Sequence, residues 1–147
     1  MLTGAFVVAL DQLTKQVALD RLGGGHHVDV IEGVLRFRLV FNAGGAFGLL
    51  QGVPGFFLVA TLGVIAGILI GAHRLENPRW AAPLGMVLGG GVGNALDRIL
   101  RDTDGAVVDF VDLHVWPVFN IADMAIVCGA LAILFVGWRD TPEETGG

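Results

Sequence analysis

Asp109 and Asp123 are the two residues of this sequence hardest to explain as structure. Each stands in an apolar run, Ala106-Val107-Val108-Asp109-Phe110 and Phe119-Asn120-Ile121-Ala122-Asp123, with no cation beside it. If folding brings them together, two carboxylates share one low-dielectric place, cannot both ionise easily, and hold one proton between them. That is the condition for turning water on a peptide carbonyl. One carboxylate takes a proton from the water; the other, protonated, supports the oxyanion and later protonates the leaving nitrogen. Paired carboxylates in a membrane also serve proton or ion transport, so these residues alone leave both classes open.

Other polar side chains gather in the same way. Asp11, Gln12, Thr14 and Lys15 occupy one helical turn, with Asp11 and Lys15 four apart on one face. Asn94 and Arg98 are likewise four apart, on either side of Asp97, and Asn120 and Asp123 are three apart. Singly, each group also reads as a helix cap or an interfacial ion pair. Their setting gives them weight, because an ionisable group at hydrocarbon depth costs at least a few kcal/mol unless paired or hydrated.

The setting follows from composition. Of the 147 residues, 54% are hydrophobic and 16% charged, where ordinary soluble domains are roughly 25% charged. The mean hydropathy is +0.71. Such an excess of apolar surface indicates a membrane protein and excludes a disordered chain. The 23 glycines follow no Gly-X-Y period, which excludes a collagen-like one. A net charge of −5 leaves no basic surface for nucleic acid. Cys128, the single cysteine, cannot form an intrachain disulfide and is expected to be buried as a small hydrophobe. Four scattered histidines offer zinc no ligand set, so no metal site is expected.

One integral-membrane domain over residues 1–147 is expected, all-α in class, with four transmembrane helices at about 2–22, 53–73, 80–100 and 118–138. Residues 52–72 run 21 positions without a charge, enough at 1.5 Å per residue to cross a core of about 30 Å. The first helix must continue from its apolar residues 1–10 through Asp11 and Lys15. It lacks a basic segment before it, and Asp11-Gln12 is a poor cleavage site, so it reads as a retained helix rather than a signal peptide. Residues 28–41 alternate, most clearly at Leu35, Phe37, Leu39 and Phe41. They predict a hairpin or small sheet between helices 1 and 2, turning at Glu32-Gly33 and resting on the membrane surface. The tail, 139–147, is expected to be disordered.

Gly63, Gly67 and Gly71 form one four-residue ridge and Gly85, Gly89 and Gly93 another, each suited to close helix packing. Alternating topology puts all the polar clusters on one side of the membrane. That side also holds Lys15, Arg21, Arg36, Arg38, Arg98 and Arg101, leaving Arg74, Arg79 and Arg139 with the termini. The positive-inside rule alone would place the termini outside.

Five blocks stand in order along nearly the whole chain: Asp11-Gln12-Leu13-Thr14-Lys15; Asn42-Ala43-Gly44-Gly45-Ala46-Phe47-Gly48; Gly89-Gly90 with Gly93-Asn94-Ala95-Leu96-Asp97-Arg98; Val107-Val108-Asp109-Phe110; and Phe119-Asn120-Ile121-Ala122-Asp123. Together they resemble the lipoprotein signal peptidases, the signal peptidase II family. The resemblance implies a bacterial inner-membrane aspartyl endopeptidase. Its partners would be membrane lipid and diacylglyceryl prolipoproteins, cut just before the lipidated cysteine, with no metal or organic cofactor. It implies Asp109 and Asp123 as the catalytic dyad, and Asn42, Gly44, Asn94, Arg98 and Asn120 as residues that position substrate or hold the dyad. Asp11, Lys15 and Asp97 look like structural supports. It further implies cytoplasmic termini, a site near the outer face and an extracytoplasmic cradle for the β segment, against the charge count. A monomer is expected. Gly45 in place of the more usual alanine, and the 14 residues from Asp109 to Asp123, depart from the family pattern without removing a proposed catalytic group.

The alternative is a small proton or ion carrier. It calls for ionisable residues through the membrane depth, whereas these gather at one side and residues 52–72 and 124–138 carry none. A scaffold subunit would suit the glycine ridges but leaves Asn and Asp at the helix ends unexplained.

Overall fold

Residues 2–22 form a helix whose pattern inverts that of a helix in water. The buried stripe of α1 (Leu2–Leu22) is Gly4, Val7, Asp11, Lys15, Ala18 and Leu22, and it includes two charged side chains. The outward stripe is Leu2, Phe6, Leu10, Leu13 and Val17, between 38% and 90% exposed. Ions inside and large apolar side chains outside suit a hydrocarbon surround.

The computed structural model describes residues 2–44, 54–72 and 77–140. After α1 come β1 (His27–Ile31), β2 (Leu35–Asn42), α2 (Pro54–Ala72), α3 (Ala81–Leu100), β3 (Val107–Asp112) and α4 (Ile121–Asp140). Helix α3 packs against each of the other three. Outward on α4 lie Met124, Val127, Leu131, Leu134, Phe135 and Trp138, again one apolar stripe. Among the described residues one helix, Ile121–Arg139, is long and apolar enough by composition to cross a membrane, and Gly55–Gly71 is a shorter apolar helix. Charged residues interrupt the apolar sequence of α1 and α3.

The β segment is more than the expected hairpin between the first two helices. β1 and β2 do pair antiparallel, turning through Glu32 and Gly33, where Gly33 takes φ 70° and Val34 N–H donates to Ile31 O at 3.0 Å. A third strand, β3, comes from between α3 and α4 and pairs antiparallel with β2, giving the order β1-β2-β3. Nearly every residue of β3 is buried, so its sequence carries no alternation and reads only as an apolar run. Phe110 packs with Ala18 and Leu22 of α1, and Phe37, Leu39, Val111 and Ile121 close around them. This small core seats the sheet on the end of α1.

Helix α4 begins at Ile121 rather than near residue 118. Phe119 is held in an antiparallel bridge to Val111, with N–H···O bonds of 2.9 and 3.1 Å, and so cannot enter the helix. At its other end α4 takes in Arg139 and Asp140, which therefore do not belong to a disordered tail. Residues 141–147, like 45–48 of the glycine-containing loop, lie outside the described residues. Cys128 is exposed on α4 rather than buried, because that face of the helix turns away from the bundle.

The two glycine ridges behave differently. A Cβ on Gly89 would stand 2.6 Å from the Gly4 carbonyl oxygen and 2.8 Å from the Val7 Cβ. One on Gly85 would meet the Thr3 Cβ at 3.0 Å, and one on Gly93 the Asp11 carboxylate at 2.6 Å. The α3 ridge is thus the surface on which α1 lies. At Gly63, Gly67 and Gly71 of α2 nothing described comes within 4 Å, so that ridge is no close helix contact among the described residues.

Gly89→Ala should accordingly lower stability in detergent by about 1–3 kcal/mol, the usual cost of overpacking. Gly67→Ala should be neutral or slightly stabilising. Thermal unfolding of the two variants beside wild type checks the contrast; equal behaviour would refute the packing account.

Candidate active site

Three backbone devices bring distant segments to one place. The Phe119 bridge returns the chain alongside β3 and sets Asn120 next to Asp109. Asn120 then caps α4: its Oδ1 accepts the Asp123 N–H at 2.9 Å, and an Asp123 carboxylate oxygen accepts the Asn120 N–H at 3.3 Å. This reciprocal pairing is a capping box, with Asp in the place of the usual Glu. On the other side of β3, Asn42 at the end of β2 donates from Nδ2 to Asp109 at 2.9 Å. The β2 register shifts between Phe37 and Val40, just before this contact.

Beneath these residues lies a cluster of ions. Lys15 is fully buried, with its Nζ 2.8 Å from Asp11 and 2.8 Å from Asp97, both also fully buried. Arg101 donates to Asp97 at 2.8 Å, balancing the second carboxylate. Each carboxylate also reaches the backbone of another element. Asp11 accepts the Ala122 N–H at the start of α4 at 2.9 Å, and Asp97 accepts the Val108 N–H of β3 at 3.1 Å. Gln12 donates to Asp97 at 3.0 Å and to the Gly93 carbonyl at 3.1 Å.

Two amides connect this cluster to the carboxylates above. Asn94 Oδ1 accepts from Lys15 Nζ at 2.9 Å, and Asn94 Nδ2 donates to Asp123 Oδ1 at 2.8 Å. Asn120 Nδ2 faces both Asn94 Oδ1, at 3.1 Å, and Asp109 Oδ1, at 2.7 Å. Asp109 and Asp123 line one cavity of about 360 Å³, together with Asn42, Gly44, Asn94 and Arg98. Its apolar walls include Phe57, Trp116, Ile126 and Val127. The Arg98 guanidinium lies 5.9 Å from the Phe57 ring, its Nη1 donates to the Asn94 carbonyl at 3.3 Å, and its buried Nε has no partner among the described residues.

Two carboxyls of one strand are driven in opposite directions. Burial, and then the charge of Asp123, push Asp109 up to about 7, although Asn42 and Asn120 donate to it. Asp112, three residues on, is held below the ordinary carboxylate range by the hydrogen bond from Arg38, at 2.6 Å. A carboxyl near 7 beside a second carboxyl can hold a proton at neutral pH and exchange it, which is what general acid and base chemistry on water requires.

All ten polar and glycine positions singled out in the sequence thus fall into one connected region: Asp109, Asp123, Asn42, Gly44, Asn94 and Arg98 at the cavity, Asn120 between the two carboxylates, and Asp11, Lys15 and Asp97 beneath. Arg101 was not among them, although its spacing of four from Asp97 was a readable signal. Phe57, Thr61 and Trp116 also line the cavity, and no pattern in the sequence marks them.

The family model for signal peptidase (SPase) II matches residues 3–139. The chain belongs to this family. It is 41% identical over 131 residues to a lipoprotein signal peptidase of Rhodococcus jostii, covering 87% of this chain and 66% of that protein. To those of Mycobacterium avium and Mycobacterium tuberculosis it is 41% and 40% identical over 133 residues, covering 88% of this chain and 73% and 66% of theirs. It therefore spans about two thirds of the length of these relatives. Two solved structures, each of a bacterial membrane enzyme, are similar throughout. One superposes with a TM-score of 0.85 at 28% identity over 99% of this chain and 91% of that one. The other gives 0.79 at 29% over 95% and 92%. Family and fold together make this a bacterial membrane protein.

Two outcomes follow from the site. Lys15→Met leaves Asp11 and Asp97 buried with one cation fewer, and should cost about 3–5 kcal/mol in unfolding experiments. The pH dependence has a definite sign. Asp109 binds its proton more tightly folded than unfolded, so its contribution is fully present below the unfolded value of 3.8 and is lost as pH rises through about 7. The melting temperature of Asp109→Asn relative to wild type should therefore climb between about pH 4 and 7. A difference independent of pH would refute the raised value.

Proposed function

We propose that the protein is an aspartyl endopeptidase that removes signal peptides from diacylglyceryl prolipoproteins, cutting just before the lipidated cysteine. The observation that carries this reading is the meeting of Asp109 and Asp123 at one cavity, each held on one oxygen by an amide of the same Asn94–Asn120 pair. In the reaction, the carboxylate of the pair takes a proton from water as the water oxygen attacks the scissile carbonyl. The protonated partner supports the oxyanion. As the C–N bond breaks, a proton passes to the leaving nitrogen, and the pair returns to its starting state with one proton. Asn42, Gly44 and Arg98 border the space where the peptide would lie, and the reading assigns them to substrate. No metal or organic cofactor enters these steps.

The same reading has all four helices crossing the membrane. The apolar outward stripe of α1 supports this, since over residues 2–19 the charged side chains, Asp11 and Lys15, both lie on the inner stripe. The termini are cytoplasmic, the sheet is extracytoplasmic, and the site lies near the outer face. There a substrate can keep its acyl chains in lipid while its peptide bond meets water. The protein works as a monomer, without nucleic acid, on lipid-modified prolipoproteins and in contact with membrane lipid. Ion transport is the weaker reading because the buried charged side chains described, Asp11, Lys15, Asp97, Asp109 and Asp112, gather at one end of the bundle, while residues 124–138 of α4 carry no charge.

Purified protein in detergent or lipid, given a diacylglyceryl prolipoprotein and the same peptide without lipid, should cut only the first. Asp109→Asn and Asp123→Asn, folded as wild type, should each lose cleavage by at least about 10³-fold, as expected for members of one catalytic unit. A folded wild type that never cuts, or variants that cut as well as it does, would refute the assignment.

A further inference from the structure

An ammonium group has three N–H donors, and Lys15 spends each on a different partner. Asp11 and Asp97 take two, at 2.8 Å each. Arg101 stands against Asp97, so the charges of this cluster already balance. The third donor goes to a neutral amide oxygen, Asn94 Oδ1, at 2.9 Å. We propose that Lys15 is a positioning residue for the reaction, whose third N–H locks the Asn94 amide in the one orientation that presents a donor to Asp123. The proposal rests on the assignment of Asp109 and Asp123 as the catalytic pair.

The lock follows from donor and acceptor logic. Lysine can only donate, so the oxygen of Asn94 must face it and the nitrogen must turn to Asp123, 2.8 Å away. With the amide flipped, an NH2 would face the ammonium and an oxygen would face a carboxylate, two like contacts in a buried place. The locked oxygen also receives Asn120 Nδ2 at 3.1 Å, and the same Nδ2 reaches Asp109 at 2.7 Å. One buried ammonium thereby sets the hydrogen bonds to one oxygen of each carboxylate. Lys15 is fully buried and hydrogen-bonds to neither of them; its hydrogen-bonded link to the pair is Asn94, beside the through-space effect of its charge.

The test compares two double variants of the whole protein, Lys15→Met/Asp11→Asn and Lys15→Gln/Asp11→Asn. Each removes one cation and one anion, leaves the Asp97–Arg101 pair whole, and puts an unbranched side chain of similar size at position 15. They differ in that glutamine carries an N–H donor for Asn94. With diacylglyceryl prolipoprotein as substrate, the Met variant should lose about 10- to 100-fold in kcat at unchanged KM, the cost of misplacing a reacting group. The Gln variant should keep most of it. Asn94→Leu, which leaves the ion cluster whole, should lose kcat with KM retained, and decides the matter if the Met variant does not fold. Wild type, Asp109→Asn and Asp123→Asn run alongside. If wild type does not cut, or those two still cut, the peptidase assignment fails and the proposal falls with it. With those controls as expected, equal kcat for the folded Met and Gln variants, or wild-type kcat for Asn94→Leu, overturns the role of Lys15 itself.

Discussion

Taking an ammonium out of water costs several kcal/mol even in a relaxed protein, and Lys15 is wholly out of water, so the surrounding structure has to answer that cost. It does so with two carboxylates and an amide drawn from α1 and α3. The carboxylates then carry the obligation outward. Each has oxygen capacity to spare, and each spends it on a backbone N–H of another element: Asp11 on Ala122 of α4, Asp97 on Val108 of β3. The segments that bear Asp109 and Asp123 are therefore tied to the same ion cluster from below. Breaking a buried pair is far more damaging than never having formed it, so these four elements hold one arrangement.

Close helix approach makes the cluster possible. Lys15 on α1 reaches Asn94 and Asp97 on α3 because, one and two turns earlier, nothing larger than hydrogen separates Gly89 from the backbone of Gly4. Gly93 leaves room for the Asp11 carboxylate itself. Small residues and ions do complementary work along one contact: the first set the distance, the second use it.

The site then sorts its carboxyls by surroundings. Asp112 meets a guanidinium and stays a charged, structural partner; Asp109, on the same strand, meets amides, burial and another carboxylate, and is pushed toward neutral pH. A cavity with carboxylates and amides at one side and Phe57, Ile126 and Val127 at another offers both a place for water and a wall for apolar chain. This combination suits chemistry on a peptide bond next to a lipid.

Much of this was legible in residues alone. Charge content and hydropathy determined the membrane class. Spacing of four joined Asp11 to Lys15, and spacing of three joined Asn120 to Asp123 in what is a capping box. Alternation and Glu32-Gly33 marked the β1–β2 hairpin, and five ordered blocks marked the family. Local spacing reports which side chains share a face, because it follows from the geometry of a single element. It does not report what lies opposite that face. Only the tertiary structure decided that β3 joins the sheet, that the Phe119 bridge delays α4 to Ile121, that Cys128 faces outward, and that Gly85, Gly89 and Gly93 of α3 receive α1 while Gly63, Gly67 and Gly71 of α2 meet none of the described residues within 4 Å. The contacts that assemble the site, such as Lys15 with Asn94 and Asp11 with Ala122, join residues 79 and 111 positions apart. Packing of whole helices decides such contacts, since each depends on the closeness of a neighbour that no single segment encodes.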